Sequence, residues 1–153
     1  HMAFLSSLNI PLSGMTAERF RLDIIAQNVA NADNVASTPE EAYKRQMVVF
    51  GEDKTFKSVL ATKLGTGETH YHKYIKYRGV EAKQVVDDPT PAEPVYDPTH
   101  PLADERGYVY ESNVDVATEQ LDSTEAENMY SANLAVFEVV KSMATKALNI
   151  GKS

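Results

Sequence analysis

The side chains in this sequence best suited to chemistry are its histidines. His70 and His72 stand two residues apart, and on a strand both would point to one face, where a pair of imidazoles can bind a metal ion. No third ligand follows at a matching spacing, so we interpret the pair as incidental and predict no metal site. His100 lies within the sequence DPTHP, with no nucleophile or acid at a catalytic spacing. We expect its Nδ1 atom to bond a loop carbonyl and brace the loop.

Other catalytic patterns are weaker still. Residues 65–69 (GTGET) resemble a phosphate loop only superficially, because the Lys-Ser/Thr ending is missing and no helix pattern follows. The carboxylates are dispersed, and no Ser-His-Asp arrangement can be nominated from spacing. The sequence therefore predicts a protein that is not an enzyme, without a cofactor or a small-molecule substrate.

The composition limits the class of protein. A chain of 153 residues fits one ordinary domain, or a small domain with appendages. The net charge of −7 without a Lys/Arg cluster argues against nucleic acid and anionic membranes as partners. No apolar run is long enough to span a bilayer. We expect no cleaved secretory signal, and His1 with Met2 resembles a tag remnant followed by a start codon.

Both ends of the chain have a helical period. Across residues 5–31 apolar side chains recur every seven positions, with a neighbour on much the same face: Leu8, Met15, Leu22, Ile25 and Val29. Pro11 and Gly14 interrupt this pattern, so we expect the regular helix to begin at Pro11 or Ser13. A second stripe spans residues 118–150 and consists of Met129, Ala132, Val136, Val139, Met143 and Ile150. Asp122 and Glu125 have capping-box spacing, although this helix could begin near Asp115.

The middle of the chain, residues 35–116, favours strands. Segments rich in Val and Tyr at 42–50, 56–64, 70–86 and 107–116 predict a small antiparallel sheet. Residues 87–107 hold five of the seven prolines and predict a long extended loop. We expect residues 95–108 to form an ordered arm that lies on the β region or on a neighbour, with these anchors: Tyr96, His100, Leu102 and Tyr108.

The predicted fold class is α+β, with a small antiparallel β region inserted between long amphipathic helices that form a coiled-coil unit. The expected domains are a helix at 3–34, a β-rich region at 35–116 and a helix at 117–153. At 1.5 Å per residue the second helix is about 45 Å long, which exceeds the width of a sheet domain of this size. Its apolar stripe could be the core of a helix pair, a seam between subunits, or both. We expect the residues of both stripes, together with Asn28 and Asn31, to form the assembly interface. The layout is typical of an assembly protein.

Asn28, Asn31 and Asn34 follow the first apolar stripe at intervals of three. One interpretation is that they mark the fraying end of a helix, because Asn is a poor helix former. The other is specific packing, because an amide both donates and accepts hydrogen bonds. We expect Asn28 and Asn31 to lie where the first helix ends, satisfying its last carbonyls.

Residues 13–34 (SGMTAERFRLDIIAQNVANADN) resemble the N-terminal signature of the flagellar rod and hook axial protein family. Residues 95–109 (VYDPTHPLADERGYV), with NVDV and residues 126–152 after them, are similar to the proximal rod protein C branch of that family. The resemblance implies a structural subunit of the bacterial flagellar basal-body rod that transmits torque across the periplasm. It implies export through the flagellar apparatus without a cleaved signal. The implied partners are copies of itself, other rod proteins, the inner-membrane ring and the export apparatus.

An alternative is a non-enzymatic adaptor that displays a β domain on a helical hairpin. The rod-subunit and adaptor hypotheses make different predictions for the helices of the isolated chain. An axial protein should keep its terminal helices loose until assembly, whereas an adaptor should fold them as a stable hairpin.

Overall fold

The computed structural model describes residues 2–52 and 79–150, with side chains from residue 7 onward. Along the chain the elements are α1 (Met2–Ala30), β1 (Val35–Ala36), β2 (Gln46–Glu52), β3 (Val80–Asp87), β4 (Glu93–Tyr96), β5 (Tyr108–Glu111) and α2 (Val116–Ile150). Two terminal helices with strands between them confirm the α+β class. The strand predicted at 56–64, the first part of the one at 70–86, and the His70–His72 pair lie outside the described residues.

Helix α1 runs without a break from Met2 to Ala30 and includes Pro11, so the expected start at Pro11 or Ser13 is wrong. A proline inside a helix removes one backbone hydrogen bond and costs about 3 kcal/mol. Burial of Pro11 and Met15 offsets part of this cost. Nearby, the Ser13 hydroxyl donates to the Ile10 carbonyl at 2.7 Å.

Helix α2 begins at Val116, as the alternative start near Asp115 predicted. The Asp115 carboxylate caps the helix, because it accepts hydrogen bonds from the Ala117 amide at 3.0 Å and the Thr118 hydroxyl at 2.6 Å. The capping box at Asp122 and Glu125 is therefore wrong, since both residues lie inside the helix.

Asp115 should make the stability of the protein depend on pH. The Thr118 hydroxyl and the Ala117 amide hold the pKa of Asp115 below its ordinary value. Its stabilising contribution is therefore complete above the unfolded pKa of about 3.9 and is lost as the pH falls through the lower folded pKa. We expect Asp115→Ala to lower the urea midpoint at pH 7 more than Asp115→Asn, which still caps. The advantage of the wild type over Asp115→Asn should vanish toward pH 3, and an advantage that grew there would contradict this assignment.

Strands β1, β5 and β4 form an antiparallel sheet with β5 in the centre. Strand β2 pairs with β3 in a second sheet of two strands. The predicted loop at 87–107 is partly wrong, because it contains β4, whose Tyr96 pairs with Tyr108. Pro94 is tolerated in β4 because this strand lies at the edge of its sheet, where a missing N–H costs no ladder bond.

The chain divides into two compact units. Of the described residues, the first unit holds 2–18, 50–52, 79–83 and 128–150, and the second holds 19–49 and 84–127. In the first unit, Met15 and Ala17 are buried, and a Cβ atom on Gly14 would lie 2.8 Å from Asn133 Oδ1, so α1 and α2 approach closely there. The buried apolar side chains of the second unit are Ile24, Ile25, Ala42, Val109 and Ala126.

Gly107 should be intolerant of a side chain. Its φ of +81° is left-handed, and a Cβ atom would lie 3.0 Å from Tyr96 Cε2 and 3.1 Å from Pro98 Cβ. We expect Gly107→Ala to cost about 1–3 kcal/mol, because the strained backbone and the contact add together. Urea denaturation against the exposed neighbour variant Arg106→Ala measures the difference. Equal stability of the two variants would contradict a constrained turn.

Candidate assembly surface

The predicted apolar stripe of α2 faces solvent in the isolated chain. Met129, Val136, Val139, Met143 and Ile150 are between 49% and 76% exposed, and Ala132 is also exposed. Monomeric proteins rarely expose a continuous apolar stripe of this length. The side chains predicted to form a seam therefore remain available to another chain.

Helix α2 has an inward face that packs within the first unit, and the exposed stripe lies beside this face. Asn133, against Gly14, marks that face, and Phe137 and Val140 along it are half-buried. At about 100° per residue, the exposed stripe is centred roughly a quarter turn around the helix from Asn133. The intramolecular contact and the exposed stripe thus use different rows of the same helix.

The predicted seam residues on α1 differ in their surroundings. Met15 and Ile25 are buried, Leu8 and Leu22 are half-buried, and Val29 is 41% exposed. Leu12 and Phe20 are exposed as well, at 49% and 39%. Helix α1 therefore turns most of its predicted seam inward and presents a smaller apolar surface than α2.

Asn28 lies in the core of the second unit and is only 1% exposed. Its Nδ2 group donates to the Gln46 carbonyl at 2.8 Å and to Glu119 Oε2 at 2.9 Å. Its Oδ1 atom accepts from the Tyr43 hydroxyl at 3.0 Å and from the Gln46 amide at 2.9 Å. All four hydrogen-bonding positions of the amide are filled, so its burial carries no unsatisfied polar group. The amide joins α1, the start of β2 and α2.

Glu119 is fully buried, and its carboxylate forms an ion pair with the Arg45 guanidinium. Arg45 Nε donates to Glu119 Oε1 at 2.5 Å, and another guanidinium nitrogen donates to Asp122 Oδ2 at 2.6 Å. Burial lowers the pKa of Arg45, but the bonds and charges of Glu119 and Asp122 outweigh it and raise that pKa overall. Burial and the charge of Glu119 raise the pKa of the Tyr43 phenol.

Arg21 and Asn113 extend this polar network, which we define as Asn28, Tyr43, Arg45, Glu119 and Asp122. Arg21 binds Asp122 at 3.3 Å and Glu125 at 3.1 Å, and because Asn28 lies beside Glu119, α1 and α2 run antiparallel in the second unit. Asn113 Oδ1 accepts from the Arg45 amide at 2.6 Å, and its Nδ2 donates to the Thr90 carbonyl at 2.8 Å. The network therefore ties both helices to the segments that lead into the strands.

Asn31 and Asn34 form hydrogen bonds at the C-terminal end of α1. Asn31 Nδ2 donates to the Gln27 carbonyl at 2.7 Å, which is a carbonyl of the last helical turn, and Asn34 Nδ2 donates to Asn31 Oδ1 at 2.7 Å. Asn31 thus does what we expected of it, whereas Asn28 bonds the Gln46 carbonyl of β2 rather than one of its own helix. The three amides have different partners despite their even spacing.

The predicted arm at 95–108 lies within strands β4 and β5 and the turn between them. From here on, the name arm means this whole segment, residues 93–111. The turn is held by its own side chains: Asp97 accepts from the Thr99 amide and hydroxyl, and Asp104 accepts from the Arg106 and Tyr108 amides. His100 Nδ1 accepts from the Leu102 amide at 3.1 Å, so the predicted bond to a carbonyl is wrong, although a loop contact exists. An imidazole nitrogen that carries no proton is an acceptor.

The predicted anchors of the arm lie mostly in solvent. Tyr96 and Tyr108 pack edge to face with their ring centroids 5.3 Å apart, yet Tyr96 is 64% exposed. Leu102 is 44% exposed and His100 is half-buried. The arm is ordered by its own hydrogen bonds and leaves Tyr96, Leu102 and Tyr108 exposed to solvent.

In residues 2–52 and 79–150, no group of three or more potential metal ligands comes together. None of the helices in this part of the chain is long and apolar enough to cross a bilayer. Two features therefore stand out: an exposed apolar stripe on α2 in the first unit, and a buried polar network between the two helices in the second unit.

Comparisons with known proteins identify relatives among the flagellar rod proteins. A family model described as "Flagella basal body rod protein" matches residues 8–36, and one described as "Flagellar basal body rod FlgEFG protein C-terminal" matches residues 105–150. The chain is 36% identical over 151 residues to the flagellar basal-body rod protein FlgC of Escherichia coli O157:H7 and of Salmonella typhimurium. It is 33% identical over 157 residues to that of Bacillus subtilis. Each match covers 99% of this chain and 100% of the relative. At this identity and coverage, the chain belongs to the FlgC family of flagellar basal-body rod proteins.

Proposed function

We propose that this chain is a structural, non-enzymatic subunit of the bacterial flagellar basal-body rod and assembles there with other rod components. The observation that carries the proposal is the apolar stripe of α2, from Met129 to Ile150, which is exposed in the isolated chain. Burying side chains of this kind stabilises an interface by about 1.5–3 kcal/mol each. Full-length relatives named as rod proteins support the rod as the assembly in question.

In the finer form of the proposal, the terminal helices of neighbouring subunits pair as a coiled coil and form the inner layer of the rod. The exposed stripe of α2 and the exposed apolar side chains of α1, which are Leu12, Phe20 and Val29, supply the contacts, and the strands lie outside them. The rod then transmits torque as a drive shaft across the periplasm. The inner-membrane ring and the export apparatus are its further partners. The close approach of α1 and α2 at Gly14 supports tight helix packing within one subunit.

The full-length relatives and the rod-protein family models that match residues 8–36 and 105–150 disfavour the alternative of a free-standing adaptor. Deleting the gene in the bacterium of origin tests the proposal. We expect no complete flagella in the deletion strain, recovery on complementation, and the chain itself in purified basal bodies. Normal flagella in the deletion strain, or basal bodies that lack the chain, would refute it.

A further inference from the structure

The exposed face of the three-stranded sheet has an unusual composition. Pro94, Tyr96, Tyr108 and Tyr110 share one face, because Pro94 pairs with Tyr110 and Tyr96 pairs with Tyr108. The opposite face carries Val109, which is 3% exposed and belongs to the core. An antiparallel sheet that buries one face normally turns polar residues outward on the other. Here the outward face is aromatic, and Leu102 in the adjoining turn is 44% exposed as well.

This aromatic face is also preorganised in the isolated chain. The edge-to-face ring pair, the approach of Tyr96 to the Gly107 backbone and the Asp97 and Asp104 turns fix its shape. A rigid aromatic surface loses little conformational entropy on binding and is typical of interface hot spots. The arm therefore has the properties of a binding surface.

The charge of the arm indicates what binds it. Residues 93–111 contain five acidic residues and one basic residue, a net charge of −4. Residues 53–78 contain six basic and two acidic residues, a net charge of +4, together with three tyrosines. Complementary charge speeds association and selects partners. Subunits that assemble head to tail join two different surfaces of the same chain.

We propose that the arm is a docking surface for a second copy of this chain, whose basic, tyrosine-rich segment 53–78 meets the aromatic and acidic face. This interface rests on the proposed rod function and adds to it a contact outside the helices. It makes Tyr96, Leu102 and Tyr108 contacts between subunits, which is the second of the two placements that the sequence left open for the arm.

Photo-crosslinking in cells tests the proposal. The chain carries p-benzoylphenylalanine in place of Tyr96, or in place of the exposed Glu40 as a control in the same unit. Basal bodies are purified after irradiation. We expect an adduct of two copies from position 96, with the crosslinked peptide inside residues 53–78, and at least about fivefold less from position 40. An adduct with another protein alone, or no adduct from incorporated subunits, would overturn the proposal. Loss of incorporation of the Glu40 control chain would instead count against the rod function.

Charge reversal gives a second test that needs no crosslinker. The variant Glu93→Lys with Glu105→Lys, and the variant Lys73→Glu with Lys76→Glu, should each reduce the number of complete flagella about tenfold. Combining all four changes should restore it to within about twofold, because opposite charges then meet again. Circular dichroism of each purified variant checks folding. If the combined variant is no better than either parent while all remain folded, the two surfaces do not meet.

Discussion

Replacing Val136 with aspartate is expected to abolish rod assembly and motility while the strands remain folded. Val136 is 53% exposed in the middle of the α2 stripe, so the isolated chain loses little when it changes. In an assembled rod the same position would be buried in every subunit. An unpaired carboxylate there costs several kcal/mol in addition to the lost apolar contact. Motility and basal-body content report assembly, and circular dichroism of the purified variant reports the strands.

The matched control is Ser131→Asp, which introduces the same side chain at an exposed position of α2 about 120° from the centre of the stripe. We expect this variant to retain more assembly than Val136→Asp. If Val136→Asp assembled normally, the stripe would not be the seam. If it lost its strand signal, α2 and the strands would share one core.

Removing the buried carboxylate of the polar network should be the most damaging change to the folded chain. Glu119→Ala removes a buried acceptor from Arg45 Nε and from Asn28 Nδ2, and it leaves Asp122 as the remaining hydrogen-bonded carboxylate of the Arg45 guanidinium. Breaking a buried charge pair by deleting one partner costs about 3–5 kcal/mol. Because small domains are stable by only about 5–15 kcal/mol, this variant should lose a large part of its free energy of unfolding. The measurement is urea denaturation followed by circular dichroism.

Glu125→Ala is the matched control, since it removes a carboxylate of the same helix that also binds a guanidinium. Glu125 is 56% exposed and its partner is Arg21, so its loss should cost no more than about 1 kcal/mol. Two variants with the same urea midpoint would mean that the network contributes no more than a surface ion pair.

The sequence predicts the helices well, because a seven-residue apolar period is a local signal that persists over many turns. It also places Asn31 at the end of α1, since the apolar period stops there. It does not identify Arg45 and Glu119 as partners, because 74 residues separate them and both residue types are usually exposed. The only local signal was the break in the apolar pattern at Asn28.

The α2 stripe and the arm illustrate a second limit of prediction from the sequence. A period shows that apolar side chains share one face, but not whether the chain's own core or another chain covers it. Ala126 and Asn133 belong to the row beside the predicted one, and only the fold shows that this row faces inward. Likewise, five prolines in residues 87–107 favour a loop, yet edge pairing with β5 makes Glu93–Tyr96 a strand.

Cysteine accessibility tests the central claim, burial of the α2 stripe in the rod, most directly. The chain contains no cysteine, so Val136→Cys introduces a single reactive thiol. Its rate of modification by a maleimide is measured in the purified chain and in purified basal bodies. We predict fast modification in the isolated chain and at least about tenfold slower modification in the basal body, because the side chain becomes buried between subunits. Equal rates in the two samples would contradict assembly through this face.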